Sequence, residues 1–130
     1  MIKSIDHIVL TAQNIEQTIT FYCDVLEMQL ESFTPPDGSP ARKALKFGDQ
    51  KINLHDAKAP YVPHAKNSTT GAIDICFLSD LPIQEWIKRF DLHNIPIENG
   101  PVQKTGATGP LMSIYVRDPD GSLIEISNQI

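Results

Sequence analysis

Apolar and polar residues alternate along several short stretches of this chain, and between them a helical spacing takes over. In residues 4–12, Ile8 and Leu10 fall on one face and His7, Val9 and Thr11 on the other, the signature of a strand with two unlike faces. Asn14 then offers a helix cap with Gln17 three residues on. Ile15, Ile19, Tyr22 and Leu26 recur at helical spacing and predict a helix to about Leu26. Residues 28–33 read as a strand ended by Thr34-Pro35-Pro36-Asp37-Gly38, and residues 42–47 and 51–55 as a hairpin around Gly48-Asp49-Gln50. The predicted order is βαβββ.

Residues 57–70 lack periodicity, carry Pro60 and Pro63, and read as a connector long enough to fold over something as a lid. The pattern then restarts. Residues 72–78 alternate as a strand, and Pro82 suits the first turn of a helix whose apolar positions are Ile83, Trp86, Ile87 and Phe90, with Asn94 as its C-terminal cap. Residues 95–102 form a strand interrupted by Pro96, and residues 105–110 a glycine-containing loop. Last comes a hairpin of residues 113–117 and 123–127, reversed at Asp118-Pro119-Asp120-Gly121. The chain is thus a duplicated βαβββ module at a period of roughly 65 to 70 residues. Module one spans 4–56, the connector 57–70 and module two 71–130. The fold class is α+β, a curled mixed sheet with helices outside.

Bulk properties narrow the function. The chain has 130 residues, 41% of them hydrophobic and 21% charged, enough for one compact domain with a real core. A formal net charge of -5, with 11 Lys and Arg, argues against a nucleic-acid or anionic-membrane surface and for a small-molecule partner. The N-terminal residues run straight into a strand pattern, and no apolar run reaches membrane-span length, so a cytoplasmic location is expected. Cys23 and Cys76 are expected to be reduced thiols. A carboxylate beside Cys76 would raise its pKa, which speaks against a nucleophilic thiolate there. His64 and His93 are given no role.

The polar faces carry the candidate chemistry. Setting the modules over one another places His7 on Asp74, Asn53 on Glu125 and His55 on Ser127. An alternating strand commonly just turns its polar face to water. Here, however, the equivalent positions hold residues able to ligate a metal or hydrogen-bond to a ligand. If the sheet curls about a pseudo-twofold axis, His7 meets Asp74 and Asn53 meets Glu125, giving imidazole and carboxylate donors for a divalent ion.

Asp6-His7-Ile8-Val9-Leu10, Phe21-Tyr22 before Val25-Leu26, and Asp118-Pro119-Asp120-Gly121 followed by Ile124-Glu125 resemble the vicinal oxygen chelate superfamily of glyoxalases, fosfomycin-resistance proteins, bleomycin-binding proteins and extradiol dioxygenases. Arg42-Lys43-Ala44-Leu45, Phe47-Gly48-Asp49-Gln50-Lys51, Asn53-Leu54-His55 and Thr105-Gly106-Ala107 resemble its glyoxalase domain-containing members.

The resemblance implies a homodimer and one divalent metal ion (Mn, Fe, Ni, Zn or Mg). The ion would be held by His7 and Glu125, with Asp74 as third ligand or as a partner of His7. Asn53 stands where glyoxalases carry a proton-transferring carboxylate, which leaves His55 as the candidate base and Asn53 as a substrate contact. Tyr115 is a candidate proton donor or a packing residue. Arg117, which shares its face, is a candidate substrate contact, and Lys46 and Arg42 are further cationic candidates.

The implied activity is isomerase or lyase chemistry on a substrate that chelates the ion through neighbouring oxygens. One alternative is extradiol cleavage with His7, His55 and Glu125 as a facial triad. The other is a non-catalytic binder of the bleomycin-sequestering type.

Overall fold

A computed structural model describes all residues, Met1 to Ile130, and the chain divides into two compact units, Met1–Thr70 and Gly71–Ile130. Unit one contains β1 (His7–Ala12), α1 (Ile15–Ile19), β2 (Gln29–Phe33), β3 (Arg42–Phe47) and β4 (Gln50–Asp56). Unit two contains β5 (Asp74–Leu78), α2 (Ile83–Leu92), β6 (Asn99–Thr105), β7 (Pro110–Arg117) and β8 (Leu123–Gln129). Each unit is a βαβββ module with a four-stranded mixed sheet, ordered β1-β4-β3-β2 in the first and β5-β8-β7-β6 in the second.

The internal repeat is exact at the level of strand pairing. In unit one β1 runs parallel to β4, with His7 opposite Lys51 and Val9 opposite Asn53; in unit two β5 runs parallel to β8, with Asp74 opposite Leu123 and Cys76 opposite Glu125. On the other side of the central strand, Ala44 opposes Asn53 and Tyr115 opposes Glu125. Because side chains alternate, each sheet has one apolar and one polar face. The apolar faces supply the cores, Leu10, Leu45, Ile52 and Leu54 in unit one and Ile114, Val116, Ile124 and Ile126 in unit two, all buried.

The helices differ from expectation in instructive ways. Asn14 caps α1, its Oδ1 accepting from Gln17 N at 3.0 Å, but the α-helix ends at Ile19 and continues as a π-helix over Thr20–Val25. There the Leu26 N–H reaches back five residues to Phe21 O at 3.2 Å, and Phe21, Tyr22, Val25 and Leu26 are all buried. A single helical stripe through Ile15 and Ile19 is therefore replaced by a broader apolar surface in the last turn.

Helix α2 starts at Ile83, with Pro82 as the capping residue rather than the first helical one; the Ile83 N–H, which Pro82 has no side chain to cap, donates to Asn128 Oδ1 at 2.8 Å. At its other end Asn94 takes a positive φ of 56°, and Ile95 N donates to Phe90 O at 2.8 Å and Asn94 N to Asp91 O at 3.1 Å, the two bonds of a Schellman termination. That engagement of Ile95 explains a correction. The strand expected over 95–102 lies at Asn99–Thr105, with an irregular register between Asn99 and Val102.

The reversal between β7 and β8 is held by Asp118, which is 5% exposed and accepts from Asp120 N and Ser122 N, each at 2.9 Å. Gly71 packs against this turn so closely that a Cβ would lie 2.3 Å from Asp120 O. Both cysteines are free thiols, as expected.

Candidate functional site

In unit two the expected residues converge. Cys76, Glu125 and Tyr115 stand abreast on β5, β8 and β7, and Ser127 and Ser113 face one another in the next row. Ser127 Oγ donates to Glu125 Oε2 at 3.2 Å. It also lies 2.7 Å from Ser113 Oγ and 3.2 Å from Cys76 Sγ. With the Ser127 hydroxyl hydrogen committed to the carboxylate, Ser113 and Cys76 donate to Ser127. Ser113 and Ser127 are fully buried, so this hydroxyl chain is how the strand interior satisfies them.

Glu125 reorders the chemistry of its neighbours. Burial first, then the charge of Glu125 and the hydrogen bond to it, push the Tyr115 hydroxyl up to about 12, so at neutral pH it is a donor and not a phenolate. Burial and Glu125 also push the Cys76 thiol up, although the Ser127 hydrogen bond opposes them. The expectation that Cys76 is no thiolate nucleophile agrees with this.

These groups open onto a pocket of about 520 Å³, lined among others by Leu78, Lys104, Gly106 and Leu111. The Lys104 ammonium lies 5.8 Å from the centre of the Tyr115 ring. A larger depression of about 610 Å³ borders Ser79, Asp80, Pro82 and Asn128. Its polar groups already serve α2, since Asn128 also donates to Ser79 O and Leu81 O.

Arg117 shares the Tyr115 face but is engaged structurally: Nε and Nη2 donate to the Glu98 carboxylate at 3.1 and 2.9 Å, and Nη1 to Gly121 O at 3.1 Å. Asp74 is exposed at the start of β5.

In unit one the polar face gathers different residues. His55 is 5% exposed at the end of β4. Arg42 lies two residues before Ala44 and His55 two after its partner Asn53, so both share the face of Asn53. Tyr61, from the connector, covers them: the Arg42 guanidinium carbon is 3.9 Å from its ring centre, and His55 meets it edge-on at 5.2 Å. Burial above all, then the charges of Arg42 and His64, pull the His55 pKa down and hold the ring neutral. Arg42 Nε, Asn53 Oδ1 and His55 Nδ1 are buried without a hydrogen-bond partner. A buried unsatisfied polar atom costs about 1–3 kcal/mol, and apart from Thr18 Oγ1 in the helix every such side-chain atom lies on this one face.

His7 lies at the start of β1 with Nδ1 2.8 Å from Asp6 Oδ1, an arrangement that leaves Nε2 free. This is how ligating histidines are commonly oriented. Imidazole from His7 and carboxylates from Asp74 and Glu125 suit a divalent ion in donor type. Within neither unit do three His, Cys, Asp or Glu side chains converge.

Reading the sequence did not single out the Ser113–Ser127 pair or Tyr61. Small hydroxyls at alternating strand positions carry no chemical signal of their own, and a tyrosine in an aperiodic connector offers no periodicity to place it. Ser127 did fall on His55 in the repeat alignment, and that was the available signal.

Two mixed-sheet βαβββ modules, each with a polar face bearing donors and titratable groups, define the class of fold. The chain belongs to the Glyoxalase/Bleomycin resistance protein/Dioxygenase superfamily, whose family model matches residues 4–126. It is 46% identical to Virulence protein STM3117 of Salmonella typhimurium over 130 residues, all of this chain and 87% of that protein. The crystal structure of that protein superposes with a TM-score of 0.89, covering 100% of this chain and 99% of that one. Glyoxalase domain-containing protein RDO1 of Mycosarcoma maydis is 42% identical over 127 residues, 98% of this chain and 69% of its own length. The structure of lactoylglutathione lyase from Agrobacterium tumefaciens matches at 26% identity with a TM-score of 0.70, covering 96% of this chain and 92% of that one. No helix is long and apolar enough to cross a membrane.

Proposed function

We propose that this protein is a divalent-metal-dependent enzyme of the lyase or isomerase type, acting on a small substrate that presents neighbouring oxygens. The observation that carries the reading is Glu125: a half-buried carboxylate at a pocket of about 520 Å³, accepting from Ser127 and standing beside Tyr115. The similarity to a lactoylglutathione lyase supports the reaction class.

In this reading His7, Asp74 and Glu125 hold the ion, which is Mn, Fe, Ni, Zn or Mg. When bound, the ion supplies Lewis-acid polarisation of a substrate oxygen and stabilises enolate-like charge. Ser127 orients the carboxylate, and the protonated Tyr115 hydroxyl offers a donor to substrate oxygen in the pocket. His55, neutral at physiological pH, carries the proton that Asn53 cannot. The reading includes a homodimer, and a cytoplasmic setting in keeping with two free thiols.

The test is metal analysis of purified protein with His7→Ala and Glu125→Gln beside it, followed by loss of hemithioacetal absorbance as the activity assay. Stoichiometric metal in the wild type, reduced in both variants, is the expected result. Oxygen uptake with catechols in place of hemithioacetal turnover would move the assignment to an extradiol dioxygenase. No stoichiometric metal after soaking with Mn, Fe, Ni or Zn would leave a small-molecule binder and sink the enzyme reading.

A further inference from the structure

We propose that Arg42, Asn53, His55 and Tyr61 form a recognition site for the 2-hydroxycarboxylate group of a small ligand. The inference rests on the proposed function for its place in a substrate, but the binding itself needs no metal.

The two modules give the argument, because the duplicated fold provides its own comparison. Counted two residues along from the pairs Ala44–Asn53 and Tyr115–Glu125, Arg42 and His55 of unit one correspond to Ser113 and Ser127 of unit two; the serines pair in the ladder, whereas Arg42 and His55 meet at Tyr61. In unit two that pair is closed on itself, the two hydroxyls 2.7 Å apart, and Ser127 goes on to the carboxylate at Glu125. In unit one the equivalents have no such closure: Arg42 Nε, Asn53 Oδ1 and His55 Nδ1 are buried and unpartnered. A fold that saturates this row within itself in one module and leaves its polar atoms buried without partners in the other leaves hydrogen-bonding capacity in the second that a guest entering beside Tyr61 would satisfy.

The atom types select the guest. Arg42 Nε–H is a charged donor, and stacking on Tyr61 at 3.9 Å fixes the guanidinium without using that hydrogen. It calls for an anionic oxygen, and the planar guanidinium fits a planar carboxylate. Asn53 Oδ1 is an acceptor beside it in the same face and calls for a hydroxyl donor. His55 Nδ1 meets either group according to its tautomer, and a neutral ring neither repels the site's cation nor demands a second negative charge. A carboxylate with a hydroxyl on the adjacent carbon satisfies all three. Tyr61 supplies the apolar wall that keeps water from competing.

Glycolate is the minimal probe, with Arg42 Nε–Hε followed in ¹H–¹⁵N spectra of the full chain, both after EDTA treatment and with Mg²⁺ added. The expected result is a saturable shift of that resonance with a Kd on the order of 1 mM. Glycolamide and inorganic phosphate should bind at least about tenfold more weakly, and Arg42→Lys should lose about tenfold with its backbone spectrum intact. Asn53→Leu tests the acceptor and should lose about fivefold.

The proposal is overturned if the Arg42 resonance shows no saturable shift up to about 100 mM glycolate. Arg42→Lys binding within twofold of wild type, phosphate binding as tightly as glycolate, or binding that requires Mg²⁺ and ignores Arg42→Lys would each overturn it too. Glycolate binding that survives EDTA in a protein found to hold no metal would leave this site standing while the metalloenzyme reading fails.

Discussion

The Arg42 guanidinium sits 3.9 Å from the centre of the Tyr61 ring, and the same ring meets His55 edge-on at 5.2 Å. One aromatic side chain from a connector without regular structure thus sets the environment of two functional candidates on the sheet. It holds the cation by stacking and contributes to the burial that keeps the imidazole neutral. On the other side of Arg42, Phe33 of β2 is its strand partner and carries the Lys51 ammonium 4.0 Å from its ring centre, while the rest of β2 is exposed.

Removing that ring should recharge His55. Because burial is the leading cause of the depressed His55 pKa, Tyr61→Ala should raise it toward the ordinary histidine value of 6.5, whereas Tyr61→Phe, which keeps the wall, should leave it in place. NMR titration of the His55 ring protons reads this directly. An unchanged pKa in Tyr61→Ala would show that the Arg42 and His64 charges, not burial, set the value.

The same shift makes stability depend on pH in a defined direction. His55 takes up a proton more readily in the unfolded chain, near 6.5, than in the folded one. Its contribution is therefore complete above the unfolded value and is lost as pH falls through that value toward the folded one. His55→Gln, neutral throughout, removes the linkage. Between about pH 7.5 and about pH 5.5 wild type should lose more stability than His55→Gln, compared by urea midpoints with slopes held equal. Equal losses would mean that His55 titrates alike in both states.

Much of the fold was legible because alternation and helical spacing are local. The βαβββ repeat, the Asp118 turn and the Asn94 cap all follow from residue types whose backbone preferences act within a few positions. The errors came where a distant or competing bond decided. Asn128, far along the chain, replaces the side-chain cap that Pro82 lacks, and Ile95 closes α2 instead of opening β6. At the site, the parity of Tyr115, Arg117 and Glu125 was readable, yet parity does not say which groups are already paired. Arg117 is tied to Glu98, whereas Arg42 Nε has no partner. Hydrogen-bond saturation is a property of three-dimensional neighbours, and no one-dimensional pattern carries it.

Asn128 should be worth more than its partly buried position suggests. It accepts from Ile83 N and donates to Ser79 O and Leu81 O, so one amide closes the start of α2 and the turn before it. Asn128→Ala should cost about 2 kcal/mol, as for loss of a strong N-cap. Asn128→Asp keeps the acceptor for Ile83 but turns the nitrogen that donates both bonds into an oxygen facing two carbonyls, and should cost at least as much. Chemical denaturation of both variants checks the pair, and an aspartate variant as stable as wild type would mean the two donor bonds contribute nothing.

Ser127 is where stability and the proposed chemistry meet, because its one hydroxyl links Ser113 and Cys76 to Glu125. Ser127→Ala leaves the buried Ser113 hydroxyl without its 2.7 Å partner and should cost about 1–3 kcal/mol. Replacing both serines by alanine removes donor and acceptor together. The double variant should therefore be no less stable than Ser127→Ala alone, a coupling that urea denaturation of the full double-mutant cycle measures. Function should not recover with stability. In both variants Glu125 has lost the Ser127 donor, so the carboxylate is less fixed and turnover should fall about tenfold even where the fold is restored. If activity instead rises and falls with stability across the cycle, Ser127 is a packing residue and does not position Glu125.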